Sequence, residues 1–549
     1  MGDLESLLQR AAVCQRAGLY TDAERMYRLA LETDPEDPTA LCNLGAALID
    51  LRRPSEALEI LSSACSILPS SHQTLTNLGN ALAALDRPDE ASDAYLAALT
   101  AKPDDPEILV NLGSTFLARG RHSEAAATYR RALALDPSSE VAHRNLIFSM
   151  HFNPSLGQAD ILEECRAWDR AFGASVSGPE VHPEACRSGG RLKIGYVGAH
   201  FYDHCQSLFT LPLFRSHDRA EVEVFVYSGS SLKDGVTEGL RASVEHWRDI
   251  AGVSDAGLAR MVAEDRIDVL IDLTMHMAGS RLGAFAARMA PVQVSWLAYP
   301  GTTGVSAIDY RLTDPYLDPP GTDESVYSER TMRLPETFWC YDPLSTAPPA
   351  SEEPSEPGKP FTFGCLNNFC KTNEVTIKLW ASAMRILPGS RFLLLAPQGE
   401  ERKRTLDIFA GEGVSSDRVD FVGRRSRRDY LELYRTIDLC LDTFPYNGHT
   451  TSMDAMWMGV PVVTMPGPTV VGRAGVSLAA NLKLPELVAG GPQGFIERCA
   501  TLALDRRRLA AVRSSLRERM RSSPLMNAGR FARAMEEALG SMVHPTPGP

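Results

Sequence analysis

The triplet Asn-Leu-Gly stands at Asn43–Gly45, Asn77–Gly79 and Asn111–Gly113, and Asn145-Leu146 continues the series, each 34 residues after the last. Ala23, Ala57, Ala91 and Ala125 keep the same phase, as do Pro35, Pro69, Pro103 and Pro137. Such a period implies a unit of two helices. Small residues let the paired helices approach closely, and proline stops the second helix because it lacks the N–H the ladder needs. Units of this kind stack into a solenoid with a concave groove.

The pattern is similar to the tetratricopeptide repeat, and about four and a half units fill residues 1–152. Asn43, Asn77, Asn111 and Asn145 admit two readings: local hydrogen bonding within the helices, or a ladder along the groove. A primary amide both donates and accepts, so such a ladder would hold the backbone of an acceptor protein whatever its sequence. Residues 153–190 read as one more helix and a linker rich in Ser, Gly and Pro.

The second half changes character. Lys193–Val197, Val222–Tyr227, Val269–Leu273 and Val292–Leu297 are short apolar runs, separated by helical stretches such as Gly279–Met289. A second series, Phe361–Leu366, Arg391–Leu395, Val419–Val422, Leu439–Leu441 and Val462–Thr464, follows a Pro- and Glu-rich linker at 346–360. Alternation of this kind predicts parallel sheets covered on both faces. The expected fold class is therefore α plus α/β: a repeat solenoid, then two Rossmann-like lobes at 191–345 and 361–549, the second including the terminal helices. Ligands in such sheets sit beyond the carboxyl ends of the strands. No GxGxxG, GxxxxGK[ST] or GxSxG follows a strand, which argues against dehydrogenase, P-loop and serine-hydrolase chemistry.

Net charge bears on partners. The chain carries −13 with no long basic run, which argues against nucleic acid. No window offers enough uncharged apolar residues to span a membrane, and MGDLESLLQRAAV has no leader pattern. Eleven cysteines without a CxxC pair read as reduced thiols of a cytoplasmic protein, with no zinc site.

The richest segment is LCLDTFPYNGHTTSMD, Leu439–Asp454. A strand enters a turn and a helix is expected to open near His449, so its free N–H groups suit a phosphate. Thr450 and Thr451 add hydroxyls there, and Asp454 is placed to accept from a ribose. An ordinary capped helix is the competing reading. Lys371 follows another strand in GCLNNFCKTNE, beside Asn368, where a cation would neutralise a departing diphosphate. His204 follows the first strand of the first lobe and has a suitable pKa for proton transfer; His200 and Asp203 compete with it. His276, and the Tyr299 and Gly301 loop of WLAYPGTTG, are weaker candidates at other strand ends.

These stretches, MAPVQVSWLAYPGTTG, TFWCYDP, NNFCK and LDTFPYNGHTTSMDAMWMGVPVVTMPG, together with the repeat arm, resemble the protein O-linked N-acetylglucosamine transferases and their SPINDLY relatives (glycosyltransferase family 41). The resemblance implies an inverting GT-B enzyme that needs no metal or cofactor and takes UDP-N-acetylglucosamine as donor. By motif position His204 matches the active-site histidine and Lys371 the pyrophosphate lysine. His449, Thr450 and Thr451 match the phosphate turn, Asp454 the ribose aspartate, and Arg425–Tyr430, with Arg427, the uracil and ribose contacts. Tyr430 replaces a histidine, Leu433 an arginine, Cys370 a tyrosine and Asn368 a glutamine of the animal members. SPINDLY relatives, which use GDP-fucose, lack the histidine and aspartate kept here as His449 and Asp454. The resemblance therefore favours UDP-N-acetylglucosamine transfer to Ser or Thr. GDP-fucose to Ser or Thr, UDP-glucose to Asn, and a non-catalytic repeat scaffold are the alternatives.

Overall fold

The structure, a computed structural model, describes residues 2–173, 190–344 and 359–543. Of the expected linkers within 153–190 and at 346–360, residues 174–189 and 346–358 lie outside the described residues. The chain divides into two compact units, Met1–Ser149 with Ala396–Thr405, and Met150–Leu395 with Leu406–Pro549.

The first unit is built from helix pairs: Gly2–Arg16 with Tyr20–Thr33, Pro38–Asp50 with Pro54–Ile67, His72–Ala84 with Pro88–Ala101, and Pro106–Ala118 with His122–Leu135. The helix Glu140–Met150 opens a further half repeat. The periodic residues have a packing reason. A Cβ on Gly45 would meet Leu61 at 2.4 Å, on Gly79 would meet Tyr95 at 2.5 Å, and on Gly113 would meet Tyr129 at 2.7 Å. Ala23, Ala57, Ala91 and Ala125 are fully buried. Each phased proline stands two residues past the end of a second helix. Within the same unit, buried Arg119 pairs with Glu401 at 2.9 Å and with Asp89 at 3.0 Å.

The second unit holds two parallel sheets. The strands of the first are β1 Leu192–Gly198, β2 Val222–Ser228, β3 His246–Asp249, β4 Val269–Asp272, β5 Val292–Ser295, β6 Tyr310–Thr313 and β7 Arg330–Arg333, in the order β3-β2-β1-β4-β5-β6-β7. The second sheet has β8 Thr362–Cys365, β9 Arg391–Leu395, β10 Val419–Val422, β11 Leu439–Leu441 and β12 Val462–Val463, in the order β10-β9-β8-β11-β12. Strands β4 and β5 are buried along their whole length, as a sheet covered on both faces requires. The order reverses between β1 and β4 and again between β8 and β11, so each sheet opens a crevice at those carboxyl ends.

Three strands escaped the sequence reading: β3, β6 and β7. HWRD, YRLT and RTMR are at least half polar. In β6, Arg311 is buried because Asp318 pairs with it at 2.6 Å. The expected helix at Gly279–Met289 shrinks to Leu282–Ala286. The last helix, Ala528–Val543, was expected with the second lobe, yet it packs on the first. Its Phe531 lies 5.8 Å from Trp296, ring centre to ring centre, and Glu536 accepts from His217 Nδ1 at 2.8 Å and from the Asp218 N–H at 2.9 Å. Among the described residues no helix is long and apolar enough to cross a membrane.

Candidate active site

The two strands flanking the second switch point supply its polar groups. From β11 the chain runs through Asp442–His449 into the helix Thr450–Trp457. Asp442 is buried and ties this turn together: its carboxylate accepts from the N–H of Gly448 at 2.7 Å, the N–H of Thr443 at 2.9 Å and the Thr464 hydroxyl at 2.7 Å. Gly448 admits no side chain, since a Cβ would meet Ser452 Oγ at 2.3 Å and Asn367 Oδ1 at 2.7 Å. His449 occupies the N-cap without a side-chain cap bond, which leaves the first N–H groups of the helix for an anion. The His449 ring donates from Nε2 to the Val471 carbonyl at 3.1 Å. Burial and nearby Lys371 hold it neutral, well below the usual imidazole range.

From β8 the chain passes Asn367 and Asn368 into a short turn, Phe369–Lys371. Asn367 is buried; it donates to Thr443 Oγ1 at 2.8 Å and accepts from the Thr451 hydroxyl. Asn368 is exposed, and its side chain caps the turn at the Cys370 N–H. Lys371 Nζ donates to the Asn447 carbonyl at 2.7 Å. Burial lowers its pKa to about 8.

The other side of the site is formed by Arg427, Tyr430 and Asp454. Arg427 reaches both oxygens of Asp454, at 2.8 and 3.2 Å, and Tyr341 donates to Asp454 Oδ1 at 2.6 Å. Tyr430 shares a 2.6 Å hydrogen bond with Tyr434, which donates to the Thr451 carbonyl at 3.0 Å. An open cavity of about 520 Å³ is lined by Asp203, His204, Cys205 and Leu208 of the first lobe and by Arg424, Arg427 and Tyr430 of the second. His204, Arg427 and Tyr430 therefore face one space.

His204 lies on the loop after β1, at the first switch point. Its ring stacks on His200 at 4.3 Å with 21° between planes. Burial, and then His200, lower its pKa to about 4, so the ring is neutral at neutral pH. The Gln206 N–H donates to Nδ1 at 3.3 Å, which assigns the ring proton to Nε2. Asp203 is exposed, its backbone N–H held by Asp234.

Three candidates stand apart. His276 is 1% exposed and donates from Nε2 to the Thr303 carbonyl at 2.7 Å. Tyr299 is equally buried, 4.6 Å from the His151 ring, and Gly301 packs beneath it. These residues support the loops from behind and do not line the cavity. The asparagines are half-buried on the first helices of their repeats. Asn77 Nδ2 lies 3.4 Å from the Cys42 carbonyl, and Asn145 Nδ2 lies 3.3 Å from Ser114 Oγ. Among the described residues no three His, Cys, Asp or Glu side chains cluster as a metal would need.

A model described as glycosyl transferase family 41 matches residues 177–348 and 351–535, and tetratricopeptide-repeat models match 4–47 and 76–140. The chain belongs to glycosyl transferase family 41. The Petunia hybrida protein described as "Probable UDP-N-acetylglucosamine--peptide N-acetylglucosaminyltransferase SPINDLY" is 35% identical over 74% of this chain and 44% of its own length. The Caenorhabditis elegans UDP-N-acetylglucosamine–peptide N-acetylglucosaminyltransferase is 26% identical over 66% of this chain and 42% of its own. The chain thus spans less than half the length of these relatives. A solved mutant of the Thermobaculum terrenum O-GlcNAc transferase superposes with a TM-score of 0.77 at 31% identity, covering 99% of this chain and 97% of that one.

Within this family 41 chain, sequence reasoning named Asn367 beside Lys371 but overlooked Asp442, Tyr341 and Cys205. Asp442 had a signal: an acidic residue directly after a buried strand and before an Asn-Gly turn. Cys205 had none. It is drawn to Thr450, Lys371 and Arg427 only because the two lobes face each other, and desolvation in the cleft raises its pKa.

Proposed function

We propose that the protein transfers N-acetylglucosamine from UDP-N-acetylglucosamine to Ser or Thr hydroxyls of acceptor proteins, with inversion at the sugar carbon. The observation that carries this reading is the convergence of Lys371 and the uncapped helix start at His449–Thr451 beside a cavity that also holds His204. Family membership and the names of the relatives support it.

In this reading the diphosphate rests on the N–H groups of the helix Thr450–Trp457 and on the Thr450 and Thr451 hydroxyls. Lys371 offsets the charge that develops on the leaving UDP. Asp454, already bound by Arg427 and Tyr341, accepts from the ribose, and Tyr430 stacks on the base. Asn368 reaches the donor from the edge of the turn. The acceptor oxygen forms its bond to the sugar carbon as the bond to UDP breaks, and its proton passes to the departing diphosphate. His204, protonated on Nε2 and neutral, orients that oxygen by donating to it. The hydrogen bond at Nδ1 favours this role over that of a base. The reading uses no cofactor and no metal, since lysine and helix supply the positive charge.

The repeat groove would hold the acceptor protein through Asn43, Asn77, Asn111 and Asn145. The reaction belongs to the cytoplasm, a reading supported by the free state of ten described cysteines; nucleic acid and membrane have no part in it. The test is intact-mass analysis of a protein acceptor mixture incubated in turn with UDP-N-acetylglucosamine, UDP-glucose and GDP-fucose. Mass gain with the first alone is expected. Gain only with another donor would replace the reading, and absence of UDP binding by calorimetry would return the chain to a scaffold.

A further inference from the structure

Lys371 is half-buried, and its ammonium is held without a salt bridge among the described residues. Among the described residues no carboxylate lies within ion-pair distance of it, and its ammonium uses a single backbone carbonyl, that of Asn447. The other contact is a ring. Nζ sits 3.9 Å from the centre of Tyr446, well inside the range where the negative face of an aromatic attracts a cation. Other groups that act on the ammonium are Asp442, after β11, Cys365 and Cys370 on its own segment, Cys205 from the first lobe, and His449.

The Tyr446 ring is itself held. It is 5% exposed and stacks on Phe152, with centres 5.1 Å apart and planes 14° from parallel. His449 lies against it at 4.9 Å, and His151 meets it edge-on at 6.5 Å. The Thr443 hydroxyl donates to the Tyr446 carbonyl at 2.7 Å. Phe152 lies just beyond the helix Glu140–Met150, so a residue remote in sequence holds the ring that holds the lysine.

We propose that Tyr446 is a positioning residue for Lys371: its ring face, fixed by Phe152, holds the ammonium beside the first turn of the helix Thr450–Trp457. Tyr446 need not touch the donor; it acts through the lysine. The inference rests on the donor-site reading for its consequence in transfer, but its physical core concerns the unliganded protein.

The experiment has one arm without donor and one with it. The ε-carbon of Lys371 is followed by NMR against pH in ¹³C-lysine-labelled full-length protein, its signal assigned by its loss in Lys371→Met. Tyr446→Leu keeps an apolar side chain and removes the π face, so the lysine should titrate roughly one pH unit lower than wild type. Tyr446→Phe keeps the face and should titrate as wild type, and Phe152→Ala should shift the lysine the same way by less. With donor, Tyr446→Leu should lower kcat about tenfold with little change in KM, and Tyr446→Phe should restore it. The proposal is overturned by a Tyr446→Leu lysine that titrates as wild type, or by a Tyr446→Phe variant as impaired as Tyr446→Leu. Should wild type neither bind UDP nor turn over a donor, the donor reading fails, while the lysine titration still decides the role of Tyr446.

Discussion

Asp442 accepts the Gly448 N–H at 2.7 Å, and this bond closes the turn that carries both the lysine's carbonyl acceptor and the helix start. The same carboxylate takes the Thr443 N–H and the Thr464 hydroxyl. Removing it strands three buried donors, each costing about 1–3 kcal/mol. Asp442→Ala should therefore lose several kcal/mol in urea unfolding and abolish UDP binding by calorimetry. Asp442→Asn, which retains one acceptor oxygen, should fall between. An alanine variant that binds UDP as tightly as wild type would show that the turn does not depend on this bond.

In the proposed donor site, Lys371 sets a pH limit on binding. Burial brings its pKa to about 8, so the cation is present below that pH and lost as pH rises through it. UDP affinity should be steady from pH 6 to 7 and decline above about 8, with a slope approaching tenfold per pH unit. A bound diphosphate favours the charged form and displaces the limb upward. Lys371→Ala should stay folded, lose transfer, and show no such limb. Calorimetry across pH 6–9.5 with both proteins measures this; a limb retained in the variant would assign it to another group.

Legibility followed the reach of each interaction. The repeat arm was readable because its spacing rules lie within 34 residues: Gly79 must be small because Tyr95 packs on it. The turn before His449 was readable too, since strand, Asn-Gly and helix start are contiguous. The cavity around His204 was not, because Cys205 and Arg427 meet only through the closure of two lobes. Strands β3 and β7 hid behind polar residues, and the last helix gave no sequence sign of which lobe it would join. Tyr446 read as part of a turn; its role depends on Phe152, nearly 300 residues earlier.

The asparagine ladder can be divided by experiment. Asn77 Nδ2 lies by the Cys42 carbonyl and sulfur, a contact between adjacent repeats. Asn77→Ala should cost up to about 1 kcal/mol of stability. Asn111 shows no side-chain hydrogen bond among the described residues, so Asn111→Ala should leave stability unchanged. If the groove grips acceptors, the double variant should raise KM for a protein acceptor several-fold and leave UDP affinity alone. An unchanged acceptor KM would make these amides structural.

His151 makes stability depend on acid. It is 1% exposed, and neither ring nitrogen has a hydrogen-bond partner among the described residues. Burial lowers its pKa to about 3, against about 6.5 in an unfolded chain. The unfolded state therefore binds the extra proton first. The stability this residue contributes is intact above about pH 6.5 and drains as pH falls toward 3, by about 1.4 kcal/mol per pH unit. His204, with a pKa of about 4, and His449 act in the same direction. Between pH 6.5 and 4.5 the His151→Phe variant should lose roughly 2.5 kcal/mol less than wild type, read by urea unfolding at each pH. Phenylalanine suits the site because Tyr299 already packs against this ring at 4.6 Å. Parallel pH profiles for the two proteins would mean that His151 takes up its proton without unfolding the chain.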